Sequence, residues 1–176
     1  MISSPRYRRY RRILAAIDDS ERGRRVAREA LALAEAFGAE LTALHIIDPP
    51  LYPYGHNDVL APGAAKAQFL SYVRDEALEQ GHQLAAYVLG LAARGTAGAG
   101  DGKDTEGTAA AVSARMEITE LSGDEGVVDR ILGEATAGAY DLIIIGASSA
   151  RRLPFFHKSV EQELINRAGC PVVVIR

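Results

Sequence analysis

Short apolar segments alternate with longer helical patterns along this chain of 176 residues, and this alternation limits the possible folds more than any other feature. Most of the apolar segments run without a polar break, which is typical of strands that are covered on both faces. Strands that alternate with helices form a parallel sheet flanked by helices. The sequence therefore predicts an α/β fold, a doubly wound parallel sheet of five strands and four helices.

The five predicted strands follow from their apolar residues. They cover residues 13–17, 41–47, 116–121, 141–146 and 171–176. The third alternates apolar and polar residues, which predicts a position near a sheet edge, whereas the fourth is the most hydrophobic and is expected to be central. The second helix is expected to start around Ala65, with Gly81 and Gly90 as weak points.

Capping residues indicate where the helices begin and end. Asp and Ser side chains at a helix start accept hydrogen bonds from backbone N–H groups that have no partner within the helix. Such signals occur at Asp18, Asp19 and Ser20, at Gly123 and Asp124, and in the capping box of Ser159 and Gln162. Gly38 lies where the first helix needs a left-handed residue to end.

The composition excludes several classes of protein. Lys and Arg number 20 and Asp and Glu 23, so the net charge is −3 and no general attraction to nucleic acid or anionic membranes is expected. The single cysteine, Cys170, excludes an internal disulfide and a multi-cysteine metal site. No apolar segment is long enough to cross a bilayer and no secretory signal is recognised, so the cytoplasm is the expected compartment.

A single domain is expected over residues 1–176, with two segments outside its core. Residues 1–10 are rich in arginine and tyrosine and are interpreted as a solvated basic arm, with nucleic-acid binding by charge and stacking as the alternative. Residues 95–110 are rich in Gly, Ala, Thr and Asp and have little to bury, which predicts a flexible insertion.

The ligand site of a doubly wound sheet lies at the carboxyl ends of its strands. The loops to search are residues 18–22, 48–63 and 146–159. The last of these joins Gly146 to Ser159 and carries Arg151, Arg152 and Lys158. Backbone N–H groups at a helix start, a serine hydroxyl and positive charge together favour an anion site. The alternative is a surface loop that leads into a capped helix.

Familiar phosphate-binding and receiver motifs do not match. The turn after the first strand lacks the glycines of a dinucleotide-binding turn. Residues 102–104 end like a P-loop but carry Asp where Ser or Thr is required, and no strand precedes them. The pair Asp18–Asp19 resembles the magnesium site of response-regulator receivers, but the Asp and Lys that such a receiver needs at two other strand ends are missing.

No nucleophile–base pair and no metal-ligand cluster emerges, so neither catalytic residues nor a metal are predicted. His45 is interpreted as a hydrogen-bonded core residue and Cys170 as a small buried hydrophobic residue. His157 lies in the candidate anion loop, where it either contacts phosphate or faces solvent.

Five segments, in this order and spacing, resemble the universal stress protein family over nearly the whole chain. They are residues 13–20 with their Asp, residues 44–47, the turn at Gly123 and Asp124, residues 141–146 and residues 170–175. The resemblance implies the adenine nucleotide alpha hydrolase-like fold, with strand order 3-2-1-4-5. It also implies binding of an adenine nucleotide, ATP or AMP.

Family members that bind ATP carry Gly-x2-Gly-x9-Gly-Ser/Thr after the fourth strand. Here Gly146 and Ser159 match the ends of the motif, Ser149 and Lys158 replace two glycines, and the spacer is one residue shorter. The replacements restrict positive φ and close approach to phosphate, whereas Lys158 offers a charge. The nucleotide site that the resemblance implies comprises Ala16, Ile17, Asp18, Ile46, Gly146, Ser149, Lys158, Ser159 and Val160.

The resemblance further implies a homodimer in which residues 171–176 of two copies pair as antiparallel edge strands. The expected function is a nucleotide-linked stress response without dedicated catalysis. Two alternatives stay open. One is a dimer that has lost the nucleotide and acts as an interaction module, and the other is a slow ATP hydrolase with Asp18 as general base.

Overall fold

The structure of the protein is a computed structural model, and it describes residues 10–48, 63–95, 111–122, 125–147 and 159–176. Strands and helices alternate throughout. In chain order the elements are β1 (Arg12–Ala16), α1 (Glu21–Phe37), β2 (Glu40–Ile47), α2 (Gly63–Arg94), β3 (Ala114–Glu120), α3 (Val127–Ala137), β4 (Leu142–Gly146), α4 (Val160–Arg167) and β5 (Val172–Ile175).

The five strands form one parallel sheet in the order β3-β2-β1-β4-β5, which confirms the predicted fold class and strand order. β1 pairs with β2 on one side and with β4 on the other. β3 is an edge strand, as its alternating pattern predicts. β4 is an interior strand, but the middle position belongs to β1, because two strands lie on each side of it.

Apolar side chains cover both faces of the sheet, which is why the strand segments lack polar breaks. On one face, Ile13 and Ile144 pack with Val26 and Val88 from α1 and α2. On the other face, Leu14 and Ile143 join a second cluster with residues of α3 and α4. Alternate residues of each strand point to opposite faces, so β1 and β4 contribute to both cores.

The helix caps follow the sequence at both ends of α1 and at the start of α4. Ser20 and Ser159 are the N-cap residues, and their hydroxyl oxygens accept from the N–H groups of Gly23 and Gln162. Gly38 ends α1 in the left-handed conformation, with φ 60°. Of the three candidates Asp18, Asp19 and Ser20, the N-cap of α1 is Ser20, and the carboxylate of Asp19 pairs with Arg24.

The start of α3 is less simple than predicted. Gly123 and Asp124 lie outside the described residues, and the N-cap residue of α3 is Gly126, which has no side chain to offer. Asp129, in the first turn, accepts a hydrogen bond from the Gly126 backbone. A residue within the helix therefore supplies the cap that a preceding residue was expected to supply.

Gly81 is a packing residue rather than a weak point of α2. It is buried, and a Cβ there would lie 3.1 Å from His45 Cδ2 and 3.2 Å from Ile118 Cδ1. The absence of a side chain thus lets the helix approach β2 and β3 closely. Gly90, by contrast, has only the end of Arg94 within 4 Å, at 3.9 Å.

Several predicted features lie outside the described residues. These are the basic arm up to residue 9, the insertion over residues 96–110, and Ser149, Arg151, Arg152, His157 and Lys158 of the loop after β4. Tyr10, the last residue assigned to the arm, packs edge-on against Phe37 with ring centroids 5.0 Å apart. No helix in the described ranges combines the length and apolar character that crossing a membrane requires.

Candidate functional site

The carboxyl ends of β1 and β4 lie side by side, because the two strands pair in register up to Ala16 and Ile145. Chain connections leave these two ends toward opposite faces of the sheet, so a crevice forms between them. A cavity of about 820 Å³ occupies this place, a volume typical of small-molecule sites.

The walls of the cavity come from the carboxyl ends of the strands and from the first turns of α1, α3 and α4. Apolar residues include Leu44, Ile46, Val127, Ile131 and Ile145, and polar or charged residues include Asp18, Ser20, Arg22, Arg25 and Arg176. The cavity therefore offers a ligand both apolar surface and charged side chains.

Most of the described residues of the predicted nucleotide site come together at this cavity. Ala16, Ile17, Asp18, Ile46, Gly146 and Val160 all line it. Ser159 is not among the lining residues, although its neighbour Val160 is. The hydroxyl oxygen of Ser159 accepts from Gln162 N at 3.2 Å, which leaves its hydrogen free to donate. Ser149 and Lys158 lie outside the described residues.

Asp18 is held in a compact turn at the cavity wall. Its Oδ1 accepts a hydrogen bond from Ser20 N at 3.1 Å and another from the Ser20 hydroxyl. Gly23, in the first turn of α1, lies directly against this residue, since a Cβ there would overlap both the carbonyl oxygen and the carboxylate of Asp18. One oxygen of the Asp18 carboxylate, Oδ1, is thus already engaged by its own turn.

The backbone of Ile17 is fixed from the side of β2. Ile17 N donates to Leu44 O at 2.9 Å, and His45 Nδ1 lies 3.0 Å from Ile17 O, to which it donates in the Nδ1–H tautomer. His45 is half-buried, which agrees with its interpretation as a hydrogen-bonded core residue. It stabilises the segment at which β1 enters the cavity.

Arg22 and Arg25 were not identified from the sequence as site residues. They lie three residues apart on α1, so they share one helix face, and both line the cavity. The only sequence signal for them is their i, i+3 spacing directly after the Ser20 cap. This signal is ambiguous, because four arginines lie between residues 22 and 28 and the sequence does not show which of them face the strand ends.

The structural surroundings of Cys170 match its predicted role. The side chain is half-buried and packs against the second core cluster. Cys170 does not line the cavity, and the described lining residues include no cysteine or histidine.

Both the sequence and the fold of this chain are similar to those of known proteins. The model of the universal stress protein family matches residues 9–176, whereas no curated protein matches the chain. Universal stress protein UspA from Lactobacillus plantarum superposes with a TM-score of 0.62 at 22% identity, over 97% of this chain and 100% of that one. A universal stress protein family member from Burkholderia pseudomallei gives 0.63 at 21% identity, over 96% and 98%.

A third structure, the universal stress protein from Archaeoglobus fulgidus in complex with dAMP, has a TM-score of 0.53 and 20% identity, over 96% of this chain and 100% of that one. At these identities the solved structures show a shared fold. The family match, in contrast, extends over nearly the whole sequence. The chain therefore belongs to the universal stress protein family.

Proposed function

We propose that this protein binds an adenine nucleotide, ATP or AMP, in the cavity at the carboxyl ends of β1 and β4. We further propose that it acts as a homodimer in a stress response. The observation that carries the binding proposal is the single cavity shared by the end of β1, the end of β4 and Ile46 of β2. The stress-response role is supported by family membership, and dimerisation by the edge position of β5.

The character of the lining residues supports a nucleotide as ligand. Ile46, Leu44 and Val127 offer apolar surface for an adenine ring. The backbone of Asp18, which follows the segment fixed by Leu44 and His45, can read the polar edge of the ring. Among the side chains that line the cavity, three arginines outnumber the two carboxylates of Asp18 and Glu21, so the net side-chain charge is positive. Such a balance favours phosphate groups.

A related fold with an adenylate bound supports the same ligand class. The Archaeoglobus fulgidus protein was solved with dAMP. Binding of an adenine nucleotide is therefore the activity that we propose.

Calorimetric titration with ATP, AMP and GTP tests the proposal. We expect ATP and AMP to bind and GTP to bind more weakly. Ile46→Ala removes apolar surface from the cavity and should weaken both adenine nucleotides roughly tenfold. Ile165→Ala is the matched control, because Ile165 is 53% exposed and lies outside the lining. If no adenine nucleotide binds the wild-type protein, the proposal is wrong and the interaction-module alternative takes its place.

A further inference from the structure

Two arginines of α1 that line the cavity pair with no Asp or Glu side chain among the described residues. Within the described ranges, neither Arg22 nor Arg25 forms an ion pair, whereas Arg24, between them on another face of the helix, pairs with Asp19 at 3.0 Å. Arg22 Nη1 donates instead to the carbonyl oxygen of Ala147, and Arg25 Nη1 donates to the backbone oxygen of Arg176 at 3.0 Å. Arg22 is thus bonded to a neutral carbonyl oxygen, and Arg25 is bonded to the oxygen of the residue that follows β5.

The path of the Arg22 side chain brings its charge to the turn that leaves β4. Its Cδ lies 3.3 Å from the position of a Cβ built on Gly146, so the side chain crosses this glycine on the way to Ala147. Arg22 is half-buried. A guanidinium that is partly shielded from water interacts more strongly with an anion than an exposed one does.

A phosphate would be a better acceptor for Arg22 than the carbonyl oxygen of Ala147, and it would be an additional acceptor for Arg25. Hydrogen bonds between a guanidinium and phosphate are charge-assisted, often bidentate, and roughly twice as strong as neutral ones. The guanidinium of Arg22 also carries further N–H donors, so it can bind a phosphate in addition to Ala147.

We propose that Arg22 and Arg25 bind the phosphate chain and select nucleotides that carry a diphosphate or triphosphate over AMP and adenosine. This inference rests on the proposed function, since it assigns the phosphate end of the same cavity. It also accounts for a ligand site in which Ser149 and Lys158 stand where two motif glycines are expected. Side-chain cations from α1 take over binding that backbone N–H groups of a glycine-rich turn would provide.

The experiment is a titration of adenosine, AMP, ADP and ATP against the wild-type protein and against Arg22→Met and Arg25→Met. We expect affinity to rise from AMP to ATP in the wild type. Each substitution should weaken ATP roughly tenfold or more and leave adenosine unchanged, and the adenosine result shows that the cavity is still formed. Arg28→Met is the matched control, because Arg28 lies on the same helix but bonds to the Tyr87 hydroxyl.

Two results would overturn the inference while the proposed function stands. One is equal affinity of the wild type for AMP and ATP, and the other is an equal loss of adenosine and ATP in Arg22→Met. Failure of the proposed function looks different, as no adenine compound would then bind. In that case the binding of inorganic tripolyphosphate is measured. If the wild type binds it and Arg22→Met does not, the arginines form a polyphosphate site. If the wild type does not bind it, both proposals are refuted.

Discussion

Gly23 belongs both to the start of α1 and to the wall of the cavity. Its N–H donates to the Ser20 hydroxyl oxygen at 3.0 Å, so it belongs to the capped first turn of α1. The Asp18 turn packs against the same residue so closely that no Cβ fits. Glycine lowers the stability of a helix, but its lack of a side chain here allows Asp18 to lie next to α1.

Gly23→Ala is expected to destabilise the protein by about 1–3 kcal/mol, the usual cost of an overpacked site, and to weaken nucleotide binding because Asp18 is displaced. Gly90→Ala is the control, since a Cβ there meets only the flexible end of Arg94. It should stabilise by about 0.5–1 kcal/mol. Urea denaturation measures both. Equal effects of the two substitutions would contradict the packing role of Gly23.

The predictability of single residues depends on how far away their partners lie in the sequence. Ser20 and Gly38 act on neighbouring backbone groups, so the sequence identifies them as caps. Gly81 is explained only by His45 and Ile118, which are far from it along the chain. Arg22 is likewise explained by Ala147. Such contacts exist only once the strands are ordered in the sheet.

Among the elements, α3 and α4 are joined by an ion pair whose strength depends on pH. Arg167 Nη2 donates to Asp129 Oδ1 at 2.6 Å, and Arg167 Nη1 donates to Glu163 at 2.6 Å. The hydrogen bond from Arg167 is the main reason why the pKa of Asp129 is lowered, with the Gly126 backbone as a smaller cause. Both effects favour the charged carboxylate.

The sign of the pH dependence follows from this lowered pKa. The pair stabilises the fold fully above the pKa of Asp129 in the unfolded chain, about 4, and the contribution is lost as the pH falls through the lower pKa of the folded state. Asp129→Asn should therefore reduce stability at pH 7 and reduce it less at pH 3. Asp75→Asn, at an exposed position of α2, is the control. A stability loss for Asp129→Asn that is the same at both pH values would disprove the assignment.

Element boundaries were predicted to within a few residues because the apolar runs and caps are local signals. The predicted strand 13–17, for example, is observed as Arg12–Ala16. The central position of β1 was not predicted from hydrophobicity, since β1 and β4 are equally covered on both faces. The cap of α3 was predicted at Gly123 and Asp124, whereas the N-cap is Gly126, which has no side chain by which the sequence could reveal it.

At the scale of the whole molecule, the order of the strands came from the family resemblance and not from the strands themselves. That order brings the ends of β1, β2 and β4 to one cavity, so strand-end residues such as Ile17, Ile46 and Gly146 could be anticipated. The cations of α1 could not, because their orientation depends on how the helix is rotated over the sheet.

The proposed homodimer depends on the backbone of β5. Pro171 O and Ile175 O accept hydrogen bonds from Ile143 and Ala147 on the β4 side, at 3.0 and 2.7 Å. Backbone groups of alternate residues point the same way along a strand, so Val172 and Val174 direct theirs to the open edge. These are the groups that a second copy would bind.

Val174→Pro removes an edge N–H and places a ring in the path of a partner strand, while the bonds to β4 from the neighbouring residues are retained. We expect this variant to be monomeric in analytical ultracentrifugation at concentrations where the wild type is a dimer. Val174→Ala is the matched control, because it loses packing against the second core cluster but keeps the N–H, and it should stay dimeric. Circular dichroism verifies that both variants fold. A dimeric Val174→Pro, or a monomeric wild type, would show that the edge of β5 is not the interface.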